Sequence, residues 1–210
     1  MAHIATFSQA GLRRLDRVER IALAAIYVFL LYRFIDSLSD NKFNLVYLVA
    51  EGLVMIMVLC RRSTNQISIA PLDWAAAFGG SFIGMMMTPS DSPAGPVVAA
   101  VAPVVMLSGL AISILAKVQL RRSFGIVAAN RGLKTRGAYG LVRHPMYLGY
   151  FLIYFGMLAM NATIWNAAVV CLWSILQLVR ITAEERLLGA DPAYRLHAQH
   201  VRYRLLPGVY

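Results

Sequence analysis

PMYLGYFLIYFGMLAMNATIWNAAVVCLWSILQLV, residues 145–179, runs for 35 residues without a charged side chain. As one helix at 1.5 Å per residue it would be about 52 Å long, far more than the roughly 30 Å of hydrocarbon in a bilayer. Its middle is polar, Asn161-Ala-Thr-Ile-Trp-Asn166. The stretch therefore predicts two helices folded back as a hairpin. Toward the N-terminus, residues 21–35, 43–60, 71–88 and 97–116 are further apolar stretches. They bring the expected count to six spans, an all-α polytopic membrane fold. Arg33 falls near the end of the first stretch, where a long side chain can snorkel to the interface. Glu51 interrupts the second, as a functional carboxyl, as a neutral one, or paired with Arg33.

Composition agrees with this reading. The chain has 210 residues, 59% hydrophobic and 14% charged, whereas an ordinary soluble domain carries about 25% charged residues. A soluble enzyme is excluded on that balance. Cys60 and Cys171 lie inside apolar runs and are expected as small buried hydrophobes, offering neither a disulfide framework nor a metal motif. The net charge of +10 is placed by topology. Lys and Arg gather before the first stretch (Arg13, Arg14, Arg17, Arg20), after the second (Arg61, Arg62), after the fourth (Lys117 to Arg143) and in the tail, leaving Arg33 and Lys42 on the other side. Cytoplasmic segments collect such charge. Both termini are expected in the cytoplasm, in a bacterial-type inner membrane or its equivalent, with lipid headgroups and not nucleic acid as the partner of the basic surface. Phe7, Leu12, Leu15 and Val18 are spaced to line an interfacial helix, and no cleavable leader is evident in the first 20 residues.

The remaining polar residues cluster on either side of the hairpin, which returns the chain to the side it left. Before it stands Thr135-Arg-Gly-Ala-Tyr139-Gly-Leu-Val-Arg143-His-Pro-Met-Tyr147-Leu-Gly149. Pro145 suits the first turn of a helix. The free N–H groups of that turn, beside Arg143 and His144, form a site for a carboxylate or phosphate. Tyr147 offers a ring face, and Gly149 permits close approach of another backbone. After the hairpin comes Arg180-Ile-Thr-Ala-Glu184-Glu185-Arg186. Arg180 and Glu184 share a helical face and make an ordinary ion pair or part of a site; two adjacent carboxylates in so basic a setting suit a cationic group. His197 and His200 have no further ligand at a fitting spacing, so no metal is expected.

These segments, RGAYGLVRHPMYLGY, then RITAEERLL, then DPAYRLHAQHVRYRLLPGVY, resemble the isoprenylcysteine carboxyl methyltransferase and phospholipid methyltransferase superfamily of membrane enzymes, from about Ser123 to the C-terminus. The resemblance implies S-adenosylmethionine as cofactor, with Arg143, His144, Pro145, Tyr147, Glu184 and Glu185 standing at the family's motif positions; Tyr139 is expected beside them in the cofactor site, and Arg180 and Glu184 are expected as catalytic residues. It implies a lipid or prenylated small-molecule or peptide acceptor, with isoprenylcysteine-type carboxyl O-methylation expected. Where the family's tail has a second tyrosine three residues after Tyr194, this chain has His197. Residues 1–120 are then an N-terminal set of four spans, and residues 121–210 a methyltransferase region with its pocket between connector and tail. Three alternatives stay open: a phospholipid N-methyltransferase, a sterol-type NADPH-dependent reductase, and a non-catalytic membrane protein. The charge asymmetry predicts that a cysteine at position 130 (Asn130→Cys) is labelled from the cytoplasmic face. Labelling only from the opposite face would overturn the topology.

Overall fold

The polar break in the uncharged run is where the chain reverses. In the computed structural model, which describes residues 8–36, 44–90 and 95–208, one helix spans Pro145–Met160 (α5) and the next Ile164–Leu188 (α6). Thr163 caps α6, its hydroxyl accepting from the Asn166 N–H at 3.0 Å. Asn166 is fully buried. Its amide donates to the carbonyls of Asn161 and Thr88, each at 2.8 Å, and its oxygen accepts from the Thr88 N–H at 3.0 Å. A turn between apolar helices leaves backbone groups that need partners, and the buried Asn166 with Thr163 provides them.

The other helices are α1 (Gln9–Asp36), α2 (Asn44–Cys60), α3 (Pro71–Phe82), α4 (Pro96–Leu120) and α7 (Pro192–His200). The described residues form no strand, only an isolated bridge between Ile67 and Ala129. The side chains of residues 33–51 lie outside the described set, and the expectations for Arg33, Lys42 and Glu51 fall there. Among the described residues two helices are long and apolar enough to cross a membrane, Pro96–Ser123 and Ile164–Leu188, with Pro145–Met160 apolar but shorter. Six spans are therefore not all met by length. The stretch at 71–88 gives a helix of only 12 residues, α3, followed by a 3-10 turn at Ile83–Met86. No separate interfacial helix precedes the first stretch among the described residues, because α1 runs unbroken for 28 residues through its arginines. Only 17% of the apolar window of the Pro96–Ser123 helix is buried, and Val97, Val104 and Leu107 stand more than half exposed. So large an apolar surface suits lipid and would be a liability in water. Cys60 and Cys171 are also exposed, not buried as expected, each on the outward face of its apolar helix.

The described helices fall into two compact units. In the first, α1 packs on α2, with Leu23 and Tyr27 of the one and Val54 and Val58 of the other buried, and segments Arg121–Gly125 and Ala129–Gly132 join it. Its interior holds a four-membered ion cluster. Arg61 reaches Asp16 at 3.1 Å and Glu19 at 2.9 Å, and Arg131 reaches the same two carboxylates at 2.7 and 3.1 Å. All four side chains are buried. Burial and the neighbouring Arg61 pull the Arg131 guanidinium below its ordinary pKa, while Glu19 and Asp16 hold it up. The cluster is neutral as a whole, which makes four charges tolerable away from water.

The second unit contains α3 to α7 with Ile126–Ala128. Here α4 and α5 meet through glycine: a Cβ on Gly109 would lie 2.6 Å from the Gly149 carbonyl oxygen, and one on Gly149 only 2.8 Å from the Ser113 nitrogen. Gly149 thus permits the close approach expected of it. Trp173 of α6 stacks on Tyr154 of α5 with ring centroids 4.1 Å apart. Against α3, Gln177 donates to the Gly80 carbonyl at 2.7 Å, and Arg186 pairs with the buried Asp73, which also accepts from Ser68. Removing one member of the four-charge cluster leaves a buried carboxylate short of a partner. Arg61→Met should therefore lower unfolding stability in detergent by about 3–5 kcal/mol, whereas the exposed Arg62→Met should stay within about 0.5 kcal/mol.

Candidate functional site

The site is built where the start of α5, the end of α6 and the tail meet within the second unit. Pro145 occupies the first position of α5 and His144 its N-cap. The His144 side chain makes no cap hydrogen bond to its own helix and is free to point elsewhere. Nε2 lies 3.2 Å from Glu185 Oε1, and Nδ1 lies 3.8 Å from Glu184 Oε2. One imidazole thus bridges two consecutive carboxylates of α6. Beside it, Arg143 Nη1 pairs with Glu185 at 2.9 Å.

The tail closes the third side. Beyond α7, the N–H groups of Arg143 and His144 donate to the carbonyls of Tyr203 and Arg204, both at 2.9 Å. This short backbone pairing sets Arg204 against Glu185, with Nε and Nη2 each 2.8 Å from Oε2. Glu185 is accordingly met by Arg143, His144 and Arg204. Glu184 has a different environment. It accepts from the Tyr147 hydroxyl, and 22% of its side chain remains exposed.

Tyr147 is buried and central. The His144 ring meets it edge-on at 5.7 Å, and the Arg180 guanidinium lies over its ring at 5.3 Å, so that the chain's own cation occupies one aromatic face. Arg180 also donates to Gln177 at 3.0 Å and to the Ile126 carbonyl at 3.3 Å. Tyr150 stands edge-on to Tyr147 at 6.2 Å, with Lys117 of α4 over its ring at 5.2 Å. Tyr139 is buried in the 3-10 turn Gly137–Gly140. Burial, with Glu184 and Tyr150 nearby, pushes its hydroxyl pKa up and keeps it a proton donor. Tyr194 of α7 is buried near Glu185 and Arg143. Burial foremost, then Glu185, raises its pKa to about 12. His197 follows it on the same helix, and burial, then Arg143 and His200, hold its pKa below the ordinary value, favouring a neutral ring.

The residues singled out in sequence, Tyr139, Arg143, His144, Pro145, Tyr147, Arg180, Glu184 and Glu185, therefore lie in one neighbourhood. Arg204 and Tyr194 belong to it too and were not singled out as site residues. Arg204 stood in the quoted tail as one basic residue among several; the backbone pairing that selects it has no periodic trace.

Residues 96–190 match the family model for phospholipid methyltransferase. That family belongs to the isoprenylcysteine carboxyl methyltransferase and phospholipid methyltransferase superfamily. The match supports a membrane methyltransferase. The match covers α4, α5 and α6 and stops at residue 190, so α7 and the pairing tail lie beyond it. No curated protein and no solved structure matches the chain significantly.

Glu185 is the tie between the helix pair and the tail. Glu185→Gln removes the charge that three partners share, and hydrogen bonds to a charged group are worth about 1.5–3 kcal/mol each. Exchange of the His144 amide, which donates to the Arg204 carbonyl, should then accelerate at least tenfold by local opening. Unchanged exchange would show that the tail is held by something else.

Proposed function

We propose that the chain transfers a methyl group from S-adenosylmethionine to an isoprenylcysteine-type carboxylate on a lipophilic acceptor, at the cytoplasmic face of the membrane. The observation that carries the reading is the mixed-charge neighbourhood at the ends of two apolar helices: paired carboxylates, Arg143, His144 and buried tyrosines within one small volume. S-adenosylmethionine has a carboxylate, an ammonium and a sulfonium, and so needs donors and acceptors together. The residues present fit it. Arg143 Nε is buried with no acceptor and, with the first turn of α5, suits the carboxylate. Glu184, with spare exposed surface, suits the ammonium or the ribose hydroxyls; Glu185 shapes that wall through Arg143 and His144. Tyrosine faces attract a sulfonium by about 0.5–2 kcal/mol.

When bound, the cofactor would supply an activated methyl for the acceptor oxygen, with the neutral thioether as leaving group. The chain's own task is to align the two reactants and exclude water. A carboxylate acceptor needs no base, which an amine acceptor would. Lys117 and Arg180 are both buried in the aromatic flank, and two cations there favour an anionic acceptor over a cationic amine. Arg180 then orients the acceptor carboxylate and Glu184 the cofactor, the two contacts that define the reacting pair. On this reading residues 121–210 form the methyltransferase region.

Calorimetric titration should find S-adenosylhomocysteine bound and NADPH not; the reverse would establish a reductase. If the Arg143–His144 turn and the Glu pair hold one ligand, His144→Ala and Glu185→Gln should be coupled in affinity by about 0.5–3 kcal/mol in a double-mutant cycle. Strict additivity in folded variants would mean that the two segments do not close on one ligand. Methylation of an S-prenylated cysteine but not of phosphatidylethanolamine decides the acceptor.

A further inference from the structure

The first unit contains a polar cavity that methyl transfer does not use. It has a volume of about 580 Å³ and lies beside α1 and the residues that follow α2. Arg13, Arg17 and Arg20, spaced four and three residues apart and so on one face of α1, form one wall, and Ser63, Asn65 and Gln66 are among the residues of the other. Asp16 also borders it, but its charge is already met from beneath by Arg61 at 3.1 Å and Arg131 at 2.7 Å. With Glu19 the buried cluster sums to zero. The three arginines of the wall are thus left as surplus positive charge, with Asp16 no nearer Arg20 than 3.8 Å.

The donors are also arranged. Arg20 Nη2 donates to the Arg61 carbonyl at 3.1 Å and to Ser63 Oγ at 3.2 Å. That fixes the guanidinium, yet its Nε is buried without an acceptor. Arg13 and Arg17 are exposed and retain their forks for a ligand. A concave wall of guanidinium groups facing neutral hydroxyl and amide groups matches the oxygens of a phosphate ester. The surface beyond the cavity is apolar. Arg17, Ile21 and Val28 follow one another at intervals of four and seven along α1, and Ile21 and Val28 are 63% and 58% exposed. An ester phosphate in the cavity would have a track for its acyl chain along that stripe.

We propose that this cavity binds the phosphate of an anionic phospholipid, as a site separate in chemistry from the one formed by Glu184 and Glu185. The full-length protein in neutral detergent is titrated calorimetrically with dihexanoyl phosphatidylglycerol and, separately, with inorganic phosphate. Saturable one-to-one binding of the lipid, at least tenfold weaker in the Arg13→Gln/Arg17→Gln variant and within threefold in Arg13→Lys/Arg17→Lys, is the expected result. Both positions are exposed, so these variants are expected to fold, and a retained unfolding midpoint checks it. Inorganic phosphate binding more weakly than the lipid, with the same dependence on both arginines, assigns the acyl stripe its share. Equal affinity for the two ligands would overturn the lipid assignment, and lipid binding unaltered in the Gln variant would overturn the site. S-adenosylhomocysteine affinity should be unchanged in either variant, so the outcome is independent of the proposed methyl transfer.

Discussion

Glu185 needs more cationic charge than its own helix provides, and meeting that need aligns three parts of the chain far apart in sequence. Arg143 and His144 come from the turn before α5, and Arg204 from the tail after α7. The first segment ends as the N-cap of α5, whereas the tail around Arg204 has no helix of its own. The carboxylate fixes their side chains while their backbones pair with each other at 2.9 Å, so each contact restricts the search for the other. A partly buried carboxylate with one partner would be costly, whereas one held by three charge-assisted bonds is a structural anchor. The site depends on that anchor, because His144 reaches Glu184 from the same ring.

A second constraint fixes the opposite wall. Lipid gives apolar helices little reason to associate, so contact between them must come from close packing of small residues. Gly109, Ser113 and Gly149 provide it between α4 and α5. That proximity sets Lys117, late in α4, over the ring of Tyr150, one residue beyond Gly149. The aromatic array from Lys117 through Tyr150 and Tyr147 to Arg180 is therefore a consequence of two glycines as much as of its own members.

What could be read from sequence was what obeys length or local chemistry. The hairpin was legible because an uncharged run longer than a bilayer must turn, and Asn161 to Asn166 was the polar place to turn. The start of α5 was legible from Pro145, and the close approach from Gly149. Pairings across long separations were not. Arg61 and Arg131 read as basic residues facing headgroups, yet they are buried on Asp16 and Glu19, 45 and 115 residues from Asp16. Nothing periodic marks such partners. Nor did hydropathy reveal that α3 would end early: the chain tightens into a 3-10 turn at Gly84, where a Cβ would run into the Tyr154 ring. The cysteines misled for another reason, since an apolar run facing lipid exposes residues that in a soluble core would be buried.

The two neighbouring carboxylates have divided their work, and the division follows from the helix. Consecutive residues on α6 point about 100° apart, so Glu184 and Glu185 share His144 between them but otherwise meet different partners. Glu185 is directed to Arg143 and Arg204 and is saturated there. Glu184 accepts from the Tyr147 hydroxyl, has His144 Nδ1 at 3.8 Å, and keeps 22% of its side chain exposed. A cationic ligand group is attracted to the carboxylate left with exposed surface. On the proposed function, then, Glu184 is the contact with the cofactor's ammonium or ribose, and Glu185 is the residue that holds Arg143 where a ligand carboxylate can use its remaining donor.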